Sequence, residues 1–251
     1  MVRQIHKVRL LIIGNELLAG RRQDKHFGHC QHYFSERGLP IVSVHYCHDE
    51  TDELVSILQW LKRVGDVSFC FGGIGATPDD LTRAAAAKAF DLELIRHEEA
   101  SELIIQQFGE QAFPIRIKMA DLPEGSSLIP NEFNNIPGFT LKEMHFLPGF
   151  PQMAWPMLDW VVNHCYKIAK REQSIYRSLI IFDVRESDLV EILSNTQDKI
   201  PDAKISSLPK FPDQDRFVIE VGAEGNTEMV TRALELLRDQ FDQAGFHYKE
   251  P

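Results

Sequence analysis

The sequence predicts an α/β fold, a doubly wound, mainly parallel sheet followed by a small C-terminal α+β domain. Three observations predict it. Short apolar runs alternate three times with segments of helical period over residues 8–90. The stretch Phe71 to Thr82 (FGGIGATPDDLT) spells out a strand end, a glycine turn and a helix start. From about residue 175 the pattern changes to strand, helix, strand, strand, helix. The expected domains are therefore 1–170 and 175–251, and 251 residues supply material for both cores.

Val8–Ile13 (VRLLII) reads as a buried strand that stops at Gly14, with Asn15 and Glu16 in the loop beyond. Residues 23–37 read as a helix with Phe27, Cys30 and Phe34 near one face and Gly38 as its stop. Ile41, Val42 and Val44 mark a second strand ending near His48 and Asp49. Leu54, Ile57, Leu58 and Leu61 have helical spacing closed by Gly65, and Asp49 is available to cap that helix. Val67–Phe71 is the third strand, and an alanine-rich helix runs over 79–90. Strand and helix repeated in this way predict parallel pairing with right-handed crossovers.

Farther along, residues 98–108 read as a helix and 115–119 as a short element. A stretch rich in Pro, Gly, Ser and Asn from Pro123 to Gly138 reads as a long loop. A strand over 144–147 runs into Pro148-Gly149-Phe150-Pro151, and a helix over 153–169 follows. Charged, apolar-poor residues 166–174 read as a linker. The second domain is read as a strand over 179–184, a helix over 186–200, strands over 205–208 and 217–221, and a helix over 227–241. Within it Gly222-Ala223-Glu224-Gly225 has the GxxG spacing of an RNA clamp. Its glutamate and its place between strand and helix argue for a turn.

Open α/β sheets bind ligands at the carboxyl ends of their strands, where the glycine stretch lies. Thr77 is placed to cap the following helix, with Pro78 at its first position and Asp79 and Asp80 in its first turn. Ordering Gly72, Gly73 and Gly75 costs roughly 0.5–1 kcal/mol each relative to alanine. A phosphate held by the backbone of Gly72, Gly73, Ile74 and Gly75 and by Thr77 offsets that cost. A tight turn in which Asp80 completes a Thr-x-x-Asp box accounts for the same residues without a ligand. Pro148 and Gly149 repeat the arrangement as a second candidate anion or carbonyl contact.

The same sheet edge receives Glu16, Asp49 and Asp79 or Asp80. Carboxylates repel a bare phosphate but suit one that carries a divalent metal (Mg, Mn or Co). Each acid alone reads as a helix cap; the three together point to a site.

Composition narrows the partners. Lys and Arg number 27 against 37 Asp and Glu, and the net charge of −10 disfavours nucleic acid and anionic membranes. No apolar run approaches a membrane span. Cys30, Cys47, Cys70 and Cys165 lie far apart with no CxxC pair, and the N-terminus lacks a signal-peptide apolar region, so a cytoplasmic protein is expected. Only GxG of the dinucleotide fingerprint is present, and neither GxxxxGK[ST] nor GxSxG occurs. His26, His29 and Cys30 have zinc-ligand spacing on a helix, but without a second ligand pair an amphipathic helix accounts for them better.

These motifs together resemble the N-terminal domain of the CinA (competence/damage-inducible) proteins, a branch of the molybdopterin-binding fold shared with MogA and MoaB. The resemblance rests on Ile13 to Gly20 (IGNELLAG), Asp49, Gly72 to Thr82, Pro137-Gly138 and Leu147 to Pro151 (LPGFP). It covers roughly residues 8–165, and residues 175–245 look like the small domain that follows in those proteins. The deamidase domain of longer CinA proteins is not matched, so that activity is not expected. The resemblance implies a glycine loop holding the phosphate of a pterin or nucleotide, with molybdopterin as a candidate ligand and Gly138, Pro148 and Gly149 beside it. Asp49 and Asp80 match the functional acids of the adenylating relatives. It further implies metal-dependent cleavage of ADP-ribose or FAD pyrophosphate bonds with Glu16, Asp49 and Asp80 on the metal, and a homodimer. Binding without catalysis and adenylyl transfer are the rival implications. One departure stands out: Asn15 and Ala19 occupy positions where many relatives have Asp and Ser.

Overall fold

The computed structural model describes residues 3–168, 174–210 and 217–251. The chain divides into two compact units, Met1–Ala169 and Lys170–Pro251.

The first unit opens with β1 (Arg3–Ile5), β2 (Val8–Ile13) and a short helix α1 (Asn15–Leu18) in place of the expected loop. Then come α2 (His26–Ser35), β3 (Ile41–Cys47), α3 (Thr51–Val64), β4 (Val67–Phe71) and α4 (Thr82–Phe90). An excursion follows: β5 (Leu94–Arg96), α5 (Glu98–Phe108), two short 3-10 turns and β6 (Asp121–Pro123), with β5 and β6 paired antiparallel. The chain returns through β7 (Ser127–Ile129), β8 (Gly138–Leu141), β9 (Met144–Leu147), α6 (Pro151–Cys165) and β10 (Tyr166–Ile168).

The main sheet has the order β3-β2-β4-β9-β8-β7. Its first four strands are parallel, and β8 and β7 extend it by antiparallel pairs. Both faces are covered, which is why β2 and β4 are apolar without alternation. On one face Val8, Leu10 and Ile12 join Phe34 of α2 and Leu158 of α6 in a core; on the other Leu11 and Ile13 join Leu54 and Leu58 of α3 and Ala85 of α4. Each such aliphatic side chain, fully buried, contributes about 1.5–3 kcal/mol. The fold is the doubly wound, mostly parallel α/β arrangement that the sequence predicts.

Further details of this unit depart from the sequence reading. The buried face of α2 is His26, Cys30, Tyr33 and Phe34, while Phe27 is 39% exposed. The helix expected from residue 79 starts at Thr82, for reasons given below. Part of the turn-rich stretch is the β7–β8 pair, whose short strands are masked in sequence by flanking Pro, Gly and Asn. The helix expected to reach 169 ends at Cys165, and residues 166–168, read as linker, form β10 paired parallel with β1. Linker residues 169–173 lie outside the described residues.

The second unit contains β11 (Ile175–Phe182), α7 (Glu186–Lys199), β12 (Lys204–Lys210), β13 (Val218–Gly225), α8 (Thr227–Ala244) and β14 (His247–Lys249). Its sheet runs β12-β13-β11-β14, antiparallel throughout, with a core that includes Leu179, Ile181, Val221 and Leu237. β14 adds a strand beyond those expected. The GxxG stretch is no turn but the end of β13. Gly222 stands opposite Ser178, and a Cβ there would lie 2.2 Å from the Tyr176 hydroxyl, so the glycine makes room for a cross-strand ring.

Candidate functional site

A cavity of about 460 Å³ opens where β2, β4 and β9 end. Its lining includes Glu16, Asp49, Gly72, Gly73, Ile74, Gly75, Thr77, Asp80, Pro148 and Gly149. Of the expected site residues, Gly138 does not line it. Gly138 lies in β8, where a Cβ would come within 2.5 Å of the Phe146 carbonyl and 2.8 Å of the Met157 methyl group. Close packing between β8, β9 and α6 explains that glycine.

The glycine loop is held from behind. Gly72 (φ 105°) and Gly73 (φ 68°) are in the left-handed region. A Cβ on Gly73 would sit 2.1 Å from the Thr82 hydroxyl, and one on Gly75 would sit 2.5 Å from Asp80 Oδ2. Thr82, fully buried, donates its hydroxyl to the Gly72 carbonyl (3.1 Å) and its amide to the Gly73 carbonyl (3.0 Å). Arg83 Nη2 donates to the Gly75 carbonyl at 2.7 Å. The carbonyls of Gly72, Gly73 and Gly75 are thus taken. Among the described residues the amides of Gly73, Ile74, Gly75 and Ala76 have no hydrogen-bond partner.

Asp80 accepts from the Thr77 amide (2.8 Å) and the Thr77 hydroxyl (2.6 Å) through Oδ2. This is the tight Thr-x-x-Asp arrangement, closed by the Asp80 amide on the Thr77 carbonyl (3.0 Å). It explains why α4 begins late. Residues 77–80 form their own turn, and the helix begins only beyond it, its first bond running from the Ala85 amide to the Leu81 carbonyl (2.9 Å). Thr77 is therefore a loop residue and not the cap of α4.

The carboxylates have separate engagements. Asp49 Oδ2 accepts the Asn15 amide at 3.0 Å, so Asp49 ties β3 to β2 and does not cap α3. Burial, together with Glu16, Asp79 and Asp80, pushes its carboxyl up from the usual range, against the pull of the Asn15 bond. Glu16 stands 3.7 Å from Arg22. Among the described residues no group of three or more His, Cys, Asp or Glu side chains is placed to hold a metal ion. Glu16, Asp49 and Asp80 share the cavity, but as arranged they do not fit a metal centre.

The opposite wall was not legible beforehand. His26, 5% exposed, stacks on Phe71 with ring centroids 4.4 Å apart. Its Nε2 lies 3.2 Å from the Gly149 carbonyl, which can only accept, so Nε2 carries the proton. Burial holds its pKa below the usual histidine value. His26, His29 and Cys30 lie on α2, where the sequence favours an amphipathic helix over a zinc site: His29 stacks on Trp155, and burial drives the Cys30 thiol up to about 12. Met119, Ile136 and Met153 supply apolar surface, and Arg22 and Lys25 supply positive charge. Arg22 also sits over the Phe150 ring, 5.6 Å from its centroid. No single motif marks these residues, because they come from elements far apart in the sequence.

A family profile described as "Probable molybdopterin binding domain" matches residues 9–167. A protein of Pyrococcus furiosus is 32% identical over 217 residues, covering 80% of this chain and 84% of its own. A CinA-like protein of Dictyoglomus thermophilum is 27% identical over 242 residues, which is 91% of this chain and 58% of that protein. The chain thus spans little more than half of that relative. Among solved structures, a CinA protein with unknown function from Thermoplasma acidophilum superposes with a TM-score of 0.59 at 25% identity. That match covers 64% of this chain and 99% of the other.

Proposed function

We propose a function on the premise that this chain belongs to the molybdopterin binding domain family, in its CinA N-terminal-like branch: it binds a small ligand carrying a phosphate, a pterin or a nucleotide, in the cavity described above. One observation carries the reading. The carbonyls of Gly72, Gly73 and Gly75 are each engaged by a donor, while four successive amides from Gly73 to Ala76 have no partner among the described residues. Successive free amides in a loop with left-handed glycines make a concavity suited to an anion. A volume of about 460 Å³ falls within the usual range for small-ligand pockets, about 300–1,000 Å³. Met119, Ile136 and Met153 offer apolar surface to the ring system such a ligand carries, and molybdopterin is the ligand the family description suggests.

Binding is preferred to pyrophosphate hydrolysis. Hydrolysis on the expected pattern needs Glu16, Asp49 and Asp80 on one divalent ion, and Asp80 Oδ2 and Asp49 Oδ2 are already engaged within the protein. The test is incubation with ADP-ribose or FAD and Mg²⁺, Mn²⁺ or Co²⁺, with AMP release and melting temperature both read. The binding reading expects a raised melting temperature and no AMP, since a ligand at 100 times its Kd stabilises by about 2.7 kcal/mol. AMP release that disappears in Asp80→Ala would replace it with a pyrophosphatase. A melting temperature unmoved by any phosphate-bearing ligand would overturn both.

A further inference from the structure

Arg83, in the first turn of α4, is only 8% exposed. A buried guanidinium is ordinarily paired with a carboxylate, because an isolated charge in a poorly solvated site is costly. Among the described residues Arg83 makes no ion pair. Its Nη2 donates to the Gly75 carbonyl at 2.7 Å, and its Nη1 donates to the carbonyls of Asp121 (3.1 Å) and Lys118. Its Nε has no partner. A positive charge therefore stands behind the glycine loop, anchored to three main-chain carbonyls; the carboxylates of Asp121 and Asp80 act on it from nearby without a salt bridge. On the cavity side the same loop meets Glu16, Asp49, Asp79 and Asp80, which repel any anionic ligand. Something must offset that repulsion.

We propose that Arg83 is a positioning residue for the ligand's phosphate: it fixes and polarises the Gly75–Ala76 peptide so that the Ala76 N–H is offered to the anion. The inference rests on the phosphate reading above. Its chemistry is that of linked hydrogen bonds. A donor on a peptide's carbonyl draws electron density from the N–H of the same peptide and makes that N–H a stronger donor. Thr82 does this for the Gly72–Gly73 and Gly73–Ile74 peptides with neutral groups. Arg83 does it for the next peptide with a charged group, and charge-assisted bonds are about twice as strong. Being buried, this charge is also less screened by salt than Arg22 or Lys25 at the cavity mouth.

The test is nuclear magnetic resonance of the full chain, comparing wild type with Arg83→Lys and Arg83→Met, first alone and then titrated with inorganic pyrophosphate. Arg83→Lys keeps the charge but cannot fork to three carbonyls, and it guards against a methionine variant that fails to fold. Without ligand, the Ala76 amide proton should move upfield in the variants while the Gly73 amide, served by Thr82, stays in place. General loosening of the loop would move both. With pyrophosphate, affinity should fall about tenfold or more in Arg83→Met, equivalent to about 1.4 kcal/mol, and less in Arg83→Lys. Equal affinity in all three proteins, or an unmoved Ala76 amide, overturns the role of Arg83 and leaves the phosphate reading standing. Wild-type amides 73–76 that ignore pyrophosphate overturn the phosphate reading itself, and this inference with it.

Discussion

Asn15 and Asp49 clasp each other across the ends of β2 and β3. The Asn15 amide donates to Asp49 Oδ2 at 3.0 Å, and the Asp49 amide donates to Asn15 Oδ1 at 3.1 Å. Asn15 Oδ1 also lies 2.8 Å from His48 Nδ1. Asn15 therefore sets the Asp49 backbone, and it does so without adding a charge.

That clasp separates metal binding from anion binding. Asn15→Asp keeps an acceptor for the Asp49 amide and adds a carboxylate next to Asp49. The variant's melting temperature should rise with Mn²⁺, while wild type shows no comparable rise. Equal shifts in both proteins would show that the native acids already hold a metal. Asn15→Ala removes the acceptor and should cost about 1–2 kcal/mol in urea unfolding.

Asp49 also makes a pH-dependent difference. Its folded pKa lies above the ordinary value of 3.8, chiefly through burial and then through neighbouring acids. The folded state thus binds the proton more tightly than the unfolded state, so stability is lost as pH rises through this interval. Asp49→Asn, whose amide oxygen can still accept from Asn15, should be more stable than wild type at pH 7. The gain should vanish below about pH 3.8. Urea midpoints at the two pH values check it, and a gain that persists in acid would assign the effect to packing.

His145 behaves in the opposite sense. It is 1% exposed, 2.9 Å from the Thr140 hydroxyl and 2.7 Å from the Tyr166 hydroxyl, and burial pushes its pKa from 6.5 down to about 3. The neutral ring's contribution is complete above pH 6.5 and is lost as pH falls toward 3. His145→Gln should be less stable than wild type at pH 7, and the gap should narrow steadily on acidification. A constant gap between pH 7 and pH 4 would contradict the assignment.

The fold was legible wherever burial on two faces wrote itself as an apolar run. Val8–Ile13, Val67–Phe71 and Met144–Leu147 fall where the sequence places them. The start of α4 was misread because Thr77, Pro78, Asp79 and Asp80 carry every mark of a helix N-terminus. Only three dimensions show Asp80 turned back onto Thr77. Glycines were visible, but their reasons were not: Gly75 accommodates Asp80, Gly138 accommodates Phe146 and Met157, and Gly222 accommodates Tyr176. Arg83 could not be found beforehand, because an arginine amid alanines reads as a surface residue. Two of its acceptors, Lys118 and Asp121, arrive from more than thirty residues away.

The central claim is that the unpartnered amides of the glycine loop bind phosphate. Isothermal titration of the wild-type protein with AMP and with adenosine tests it most directly, since the two differ only in that group. Hydrogen bonds to a charged acceptor contribute about 1.5–3 kcal/mol each, so AMP should bind at least about tenfold more tightly. Adenosine binding as tightly as AMP would contradict the account and leave the glycines as a turn that serves the fold alone.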